Sequence, residues 1–401
     1  MLVVQKYGGT SMGDCERIQN VANRIAMRKK ENHHLVVVVS AMSGVTDVLV
    51  GYTKYFTQLP NPREVDMVLS SGERITSALL AIALENMGFK AISLSGRKAG
   101  ILTDSIHTKA RIEDIDTTYL KSLLEQDYIV VVAGFQGVDK NGEVTTLGRG
   151  GSDLSAVAIA GALQADLCEI YTDVDGVYTT DPRIEKNAKK IHKISYDEML
   201  ELASMGAKVL LNRSVELAKK WNIPLVTRSS FSYDEGTMIT HEENIMEQAV
   251  VSGVALDKNQ VRVSMVGVSD RPGIAAEIFT AMANANINID MIVQTIGRDG
   301  KTNLDFTLPQ SEIEEAKIAL KNFEKDVENI EVDCNIAKVS IVGVGMKSHS
   351  GVASCAFSAL AKENINIMMI STSEIKVSMV IDNKYAELAV RALHSAYNLD
   401  K

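Results

Sequence analysis

The chain has 401 residues, 46% of them apolar and 23% charged, with a formal net charge of −9 at pH 7. That length supports two or three domains with substantial cores, and the composition excludes a disordered chain. The acidic balance argues against a nucleic-acid surface, so an anionic ligand must be met by a local group of Lys, Arg and main-chain amides. No run approaches the length of a membrane span, and Val36–Val39 and Ile129–Ala133 are short enough to be buried strands. The N-terminus enters a strand without a charged segment and apolar stretch ahead of it, so no secretory signal is expected. Cys15, Cys168, Cys334 and Cys355 lack Cys-x-x-Cys spacing and read as reduced thiols of a cytoplasmic protein. The seven histidines show no metal-ligand spacing, so no protein-held metal is expected.

The first elements alternate. Leu2-Val3-Val4 begins a strand that runs into Lys6-Tyr7-Gly8-Gly9-Thr10-Ser11, and a helix follows with Ile18, Val21, Ala22 and Ile25 on one face. His33-His34 falls in the loop before a second strand, Leu35–Val39, which leads through Ser40–Asp47 into more helix. Glu73–Met87 predicts a helix that stops at Gly88, and Ala91–Leu94 and Ile129–Ala133 predict further strands. Leu147-Gly148-Arg149-Gly150-Gly151-Ser152-Asp153 then opens a helix of small residues over Ser152–Leu163. A strand at Ile170–Tyr171 continues into Thr172-Asp173-Val174-Asp175-Gly176-Val177-Tyr178-Thr179-Thr180-Asp181-Pro182-Arg183. This order predicts an α/β sandwich with a largely parallel sheet, whose ligand crevice lies beyond the carboxyl ends of the strands. Lys6, Ser40, Arg149 and Asp173 all fall there.

The C-terminal part repeats itself. Val261–Val268 matches Ala337–Val344, and each run is followed by a glycine-containing loop, an amphipathic helix and the tetrapeptide Asn-Ile-Asn-Ile, at 286–289 and 364–367. Strands at Met291–Thr295, Asn303–Leu308, Met368–Ser371 and Lys376–Ile381 and helices over 311–323 and 384–397 complete the pattern. The order β-α-β-β-α-β, twice, predicts two ferredoxin-like domains. They read equally well as structural domains or as modules for a small ligand.

The glycine turns invite a phosphate, because glycine admits close approach to main-chain amides and a helix N-terminus carries partial positive charge. A Gly-Gly pair after a strand is more often plain turn chemistry. The absence of Gly-x-x-x-x-Gly-Lys-Ser/Thr excludes a P-loop, and no protein-kinase motif set occurs. Tyr178 and Arg183 suit a nucleotide, and Lys208 in Met205-Gly206-Ala207-Lys208-Val209 is a second candidate phosphate cation. Each alone reads as a solvated loop residue; their weight comes from their order with the two turns.

Taken together, Lys6–Ser11, Ser40–Asp47, Ser71-Gly72-Glu73, Gly148–Asp153, Thr172–Arg183 and the doubled module resemble aspartate kinase over almost the whole chain. The resemblance implies an amino-acid-kinase αβα sandwich over 1–245, a linker strand and first ACT domain over 246–328, and a second ACT domain over 329–401. It implies ATP-dependent phosphorylation of the aspartate side chain, the first step toward lysine, threonine and methionine. By that likeness Lys6 and Asp153 are catalytic, while Thr46, Glu73, Arg149, Gly150, Gly151 and Ser152 hold aspartate. Arg149 would fork onto a carboxylate and Glu73 would take the ammonium. Lys6, Tyr7, Gly8, Gly9, Ser40, Thr172, Asp173, Tyr178, Arg183 and Lys208 would hold ATP, with Mg²⁺ arriving on the nucleotide. Effector lysine or threonine would meet Asp270, Ala275, Asn288, Ile289, Asp290 and Gln294 in one module and Val352, Ala353, Asn366 and Ile367 in the other. Asp270 or Asp290 would take the effector ammonium. A homo-oligomer through the ACT domains is implied, and a start at Met246 would allow an α2β2 assembly. Tyr7 stands where many members have Phe, and Ser350 replaces a frequent Pro. Two rivals remain at this stage: a sibling kinase acting on glutamate or acetylglutamate, and a non-catalytic amino-acid sensor.

Overall fold

The computed structural model describes residues 1–148, 150–204, 209–245, 249–296 and 300–401, so the expectations for Arg149, Lys208 and Met246 lie outside the described residues. Packing divides the chain into two units. The first comprises the described residues of 1–177, 190–203 and 208–246, and the second those of 178–189, 204–207 and 247–401.

The first unit opens with β1 (Leu2–Tyr7), α1 (Cys15–Lys30) and β2 (His34–Val39). Asp14 caps α1 by accepting from the Arg17 amide. Next come α2 (Val45–Phe56), α3 (Pro62–Leu69), α4 (Ser71–Asn86) and β3 (Ala91–Leu94). Gly88 ends this helical region at a left-handed φ of 87°, where a side chain would be strained. Then follow β4 (Ile101–Thr103), β5 (Ile112–Ile115), α5 (Thr118–Glu125), β6 (Ile129–Ala133), β7 (Gln136–Val138) and β8 (Val144–Thr146). The unit is completed by α6 (Gly151–Leu163), β9 (Leu167–Thr172), β10 (Lys193–Ser195), α7 (Tyr196–Ser204), α8 (Asn212–Trp221), β11 (Leu225–Ser229) and β12 (Thr237–Thr240).

The main sheet runs β10-β12-β11-β9-β1-β2-β6-β3, parallel from β11 to β3, with β12 antiparallel to β11. Its strands read as continuous apolar runs because both faces are covered. On one face Ile18, Val21 and Ile25 of α1 and Leu80 and Leu84 of α4 pack on Val3, Tyr7, Val37, Val39 and Val131. Lys6, alternating with Tyr7 along β1, points instead to α6. The small residues of α6 have a packing reason: a Cβ on Gly161 would lie 1.6 Å from Cε3 of Trp221 in α8. The short strands β4, β5, β7 and β8 form a second sheet, order β5-β4-β7-β8, that the sequence reading missed. Strands of three or four residues are too brief to show an alternation.

Abutting α3 and α4, Pro62–Asn86, make the one stretch among the described residues long and apolar enough to cross a membrane, and half of its apolar window is buried inside the unit. Asp66 and Glu73 are both buried within it, which marks a core helix pair of a folded domain.

In the second unit β13 (Gly253–Asp257), β14 (Gln260–Ser269), α9 (Ile274–Asn284), β15 (Ile292–Ile296), β16 (Lys301–Pro309), α10 (Ile313–Leu320) and β17 (Asn329–Asp333) come first. After them come β18 (Ile336–Val342), α11 (Val352–Lys362), β19 (Ile367–Thr372), β20 (Lys376–Asp382) and α12 (Ala386–Ala396). The two sheets are β15-β16-β14-β17 and β13-β18-β20-β19. This corrects the division drawn at 328/329. Strand β17 belongs to the first module, and β13, ahead of that module in sequence, supplies the second module's fourth strand by antiparallel pairing of Gly253–Asp257 with Lys338–Val342. A short strand separated by a whole domain from its partner leaves no local signal.

The repeated Asn-Ile-Asn-Ile is a helix stop. Asn286 and Asn364 adopt left-handed φ of 57° and 54°, and the next residue, Ile287 or Ile365, drops into the core. Residues 178–189, from the middle of the α/β sequence, pack in this unit. The Val254 amide donates to the Thr179 carbonyl at 2.7 Å, Thr179 Oγ1 lies 2.9 Å from Nε2 of His394, and Ile184 lies against the second module's core.

Candidate active site

Lys6 ends the apolar run of β1 with its side chain largely buried, and its Nζ lies 2.6 Å from Oδ1 of Asp153 in the first turn of α6. The contact is ionic and off the hydrogen-bond directions of that oxygen, which has no hydrogen-bond partner among the described residues. Burial makes such a pair more than a surface contact, since an unpaired ammonium there would be costly. A Cβ on Gly8 would stand 3.3 Å from Lys6 Nζ, and one on Gly9 would stand 3.1 Å from the Ala41 carbonyl. The two glycines therefore keep space beside the ammonium and let the turn touch the end of β2. Two expectations need correction. The Tyr7 ring is fully buried and stacked on Tyr171 at 4.6 Å, so only its main chain is available to a nucleotide. The Gly8 amide donates to the Tyr171 carbonyl, so it is already engaged within the fold.

Across Ala41 lies Glu73. The Ala41 amide donates to Oε1 of Glu73 at 3.2 Å, while buried Oε2 has no hydrogen-bond partner among the described residues. Gly72 makes the approach feasible, because a Cβ there would stand 2.8 Å from Cβ of Ala41. Burial raises the Glu73 carboxyl to about 7. The carboxylate reaches to Ala41 and to its own first-turn amide, and the Ser70 amide at the α4 N-cap bonds instead to the Asp66 carbonyl. Ser40, just past β2, is held by its amide on the Tyr7 carbonyl and by Thr76 Oγ1 on its own carbonyl. Thr46 is half-buried in the first turn of α2. Gly150, at φ 72°, caps α6, and Gly151 and Ser152 are buried beside it.

Thr172 and Asp173 stand at the carboxyl end of β9, Asp173 exposed and accepting from Thr172 Oγ1 at 3.0 Å. Tyr178 and Arg183 belong to the segment packed in the second unit, where Arg183 is fully solvated and forked onto Asp181. The structure thus brings together Lys6, Gly8, Gly9, Ser40, Glu73, Asp153, Thr172 and Asp173 around three neighbouring strand ends. Tyr178 and Arg183 belong to the other unit.

Sequence reasoning missed two clusters. Fully buried Glu169 on β9 takes Gln5 Nε2 at 2.7 Å, the Tyr171 hydroxyl at 3.2 Å and Arg28 at 3.2 Å, on the α1 side of the sheet. Fully buried Asp66 gathers three donors from two other segments. An acidic residue inside an apolar strand or helix face was the available signal for both.

Among effector candidates, Asp270, Asn288 and Gln294 are exposed, and Ala275, Ile289, Ala353 and Ile367 are half-buried. Val352 is buried at the start of α11 and Asn366 is exposed. Asp290 departs from expectation: its carboxylate is ion-paired with buried Lys338 of β18, so it is already committed to an internal ammonium.

Comparison with known proteins identifies the family. The amino acid kinase family model matches residues 1–229, and the ACT domain model matches residues 263–322 and 339–397. The chain is 68% identical over 405 residues to an aspartokinase of Helicobacter pylori, with both chains wholly covered. Among solved structures, E. coli aspartokinase III with aspartate and ADP in its R-state matches at 26% identity and a TM-score of 0.84, covering 99% of each chain. The same enzyme with lysine and aspartate in its T-state matches at 26% identity and a TM-score of 0.80, covering 100% of each. A buried lysine at a glycine turn, an unsatisfied buried carboxylate and a duplicated regulatory fold thus accompany full-length likeness, and the chain belongs to the aspartate kinase family.

Proposed function

We propose that the strand-end site transfers the γ-phosphoryl group of ATP to the side-chain carboxylate of aspartate, as the entry reaction to lysine, threonine and methionine synthesis. The pair Lys6–Asp153 beside the Gly8-Gly9 turn carries this reading. One oxygen of the aspartate carboxylate forms the new bond to phosphorus, the bond from phosphorus to the β–γ bridging oxygen breaks, and ADP leaves with that electron pair. The attacking carboxylate is already ionised at neutral pH, so no general base is needed. What the site must supply is alignment and relief of the repulsion between two anions. Lys6 answers the phosphoryl charge, and Asp153 keeps it in place. Glu73, with its unsatisfied Oε2, takes the substrate ammonium, and Arg149 takes a carboxylate.

Asp173 at the end of β9 fits a phosphate that brings Mg²⁺, since a bare triphosphate would be repelled by a further carboxylate. The ion would lower the charge on the phosphates. The ACT pair is read as a sensor for lysine or threonine, as lysine is named with the T-state E. coli enzyme. With Asp290 engaged, Asp270 is the better candidate for an effector ammonium. The edge strand β15 exposes Ile292 and Ile296, and such an edge suits pairing with a second copy. A reaction that uses ATP and free aspartate suits the cytoplasm.

Trapping the product with hydroxylamine tests the reaction. Aspartate with ATP should yield aspartyl hydroxamate, glutamate should not, and Lys6→Ala should lose at least about a thousandfold in kcat while still binding ATP. Near-normal turnover of that variant would remove Lys6 from the mechanism.

A further inference from the structure

Asp66 of α3 is wholly buried, yet its carboxylate receives four contacts from two other segments. Nδ1 of His107 lies 2.6 Å from Oδ2, the Thr108 amide donates to both oxygens at 3.1 Å, and Thr146 Oγ1 donates to Oδ1 at 2.5 Å. Because the carboxylate can only accept, Nδ1 of His107 must carry the proton, which fixes the ring's tautomer. Thr108 sits at a φ of 66°, a conformation that a β-branched residue adopts only when its surroundings hold it. Asp66 is what holds it.

The strained loop has a specific neighbour. The Thr108 carbonyl lies 3.3 Å from where a Cβ on Gly148 would stand, and the Ala110 amide donates to the Thr146 carbonyl at 2.9 Å. Thr146 ends β8, and the next residues are Leu147 and Gly148, the start of the turn that leads to Asp153. Asp66 also lies one helix junction ahead of Glu73. A single carboxylate therefore ties the roof over Gly148, the strand that delivers the turn and the helix pair that delivers Glu73. An apolar residue of similar size would fill the space as well as this buried charge. Its value is directional: three donors from two segments are held at fixed angles to one point.

We propose that Asp66 and His107 form a positioning pair that holds Thr146 and Gly148, at the entry to the turn ahead of α6, and so determines affinity for the amino-acid substrate. Neither is a catalytic residue; both act through Thr108, Thr146 and Gly148. The inference rests on the reading that this turn holds aspartate.

His107→Ala should raise KM for aspartate about tenfold, the loss expected when a hydrogen bond to a charged group is removed, and leave KM for ATP within about twofold. His107→Asn, whose amide can donate to Asp66 from nearly the same point, should recover most of that loss. A merely structural role would move both KM values, or neither, and would not distinguish Asn from Ala. Unchanged aspartate KM in His107→Ala, parallel rises for both substrates, or no recovery in His107→Asn would each overturn the positioning role. Wild-type protein that makes no aspartyl hydroxamate would instead overturn the assignment of the turn to aspartate, and this inference with it.

Discussion

Glu73 is the side chain whose behaviour is most open to measurement. Its carboxyl is held up at about 7 by burial, against an ordinary 4.5. Between those values the folded chain keeps a proton that the unfolded chain has released, so this group makes the free protein less stable as pH rises through that window. Substrate binding runs in the opposite sense. An ammonium beside Oε2 favours the carboxylate, so affinity for aspartate should increase as pH rises to about 7 and level off above it. Glu73→Gln should raise KM for aspartate at least about tenfold, flatten this pH dependence and spare KM for ATP. Steady-state kinetics across about pH 6 to 8 would check it, and an unaltered pH profile in the variant would remove Glu73 from ammonium recognition. The residue itself was visible in the sequence as Ser71-Gly72-Glu73. Its orphaned oxygen was not, because that depends on Ala41, thirty-two positions away, taking the other one.

The elements show which patterns speak for themselves. Strands β1, β2 and β6 and helices α1 and α4 were readable because each is long enough to repeat its apolar period against one core. The small-residue helix α6 was readable as a helix, but the reason for its composition was not. Gly161 exists to admit the indole of Trp221, sixty residues later. Gly161→Val should therefore cost about 2 kcal/mol by overpacking, and Trp221→Ala placed on that background should return part of the loss. Urea unfolding midpoints of the two single variants and the double variant would test this; additive losses would mean that the helices separate at that point. Strands β4, β5, β7 and β8 escaped notice for the converse reason. They are defined by each other and have too few residues to carry a period of their own.

For the molecule as a whole, the duplicated modules engage each other directly. Lys338 and Asp290 join the two sheets, with Met291, Ile336, Met369 and Val380 packed beside them. The outward edge β15 leaves Ile292 half exposed and Ile296 almost fully exposed. Replacing both with Lys should shift the protein from an oligomer to a monomer in sedimentation while leaving aspartate-dependent turnover without effector intact. An unaltered sedimentation coefficient would exclude this edge as the interface. Turnover with lysine and threonine, added singly and together, would identify the effector; indifference to both would remove the sensing role from the ACT pair.

Residue order alone established the α/β unit, the duplicated ferredoxin-like modules and the kinship carried by the glycine turns, because these features are local: a period, a turn residue or a repeat is complete within a few tens of positions. Tertiary structure alone decided that Tyr7 faces the core, that Asp290 is already paired, that β13 completes the second module and that Asp66 draws in His107 and Thr146. Each of those outcomes depends on what a side chain or strand meets across space. Desolvation, pairing and close packing act between groups that the chain brings together only when it folds.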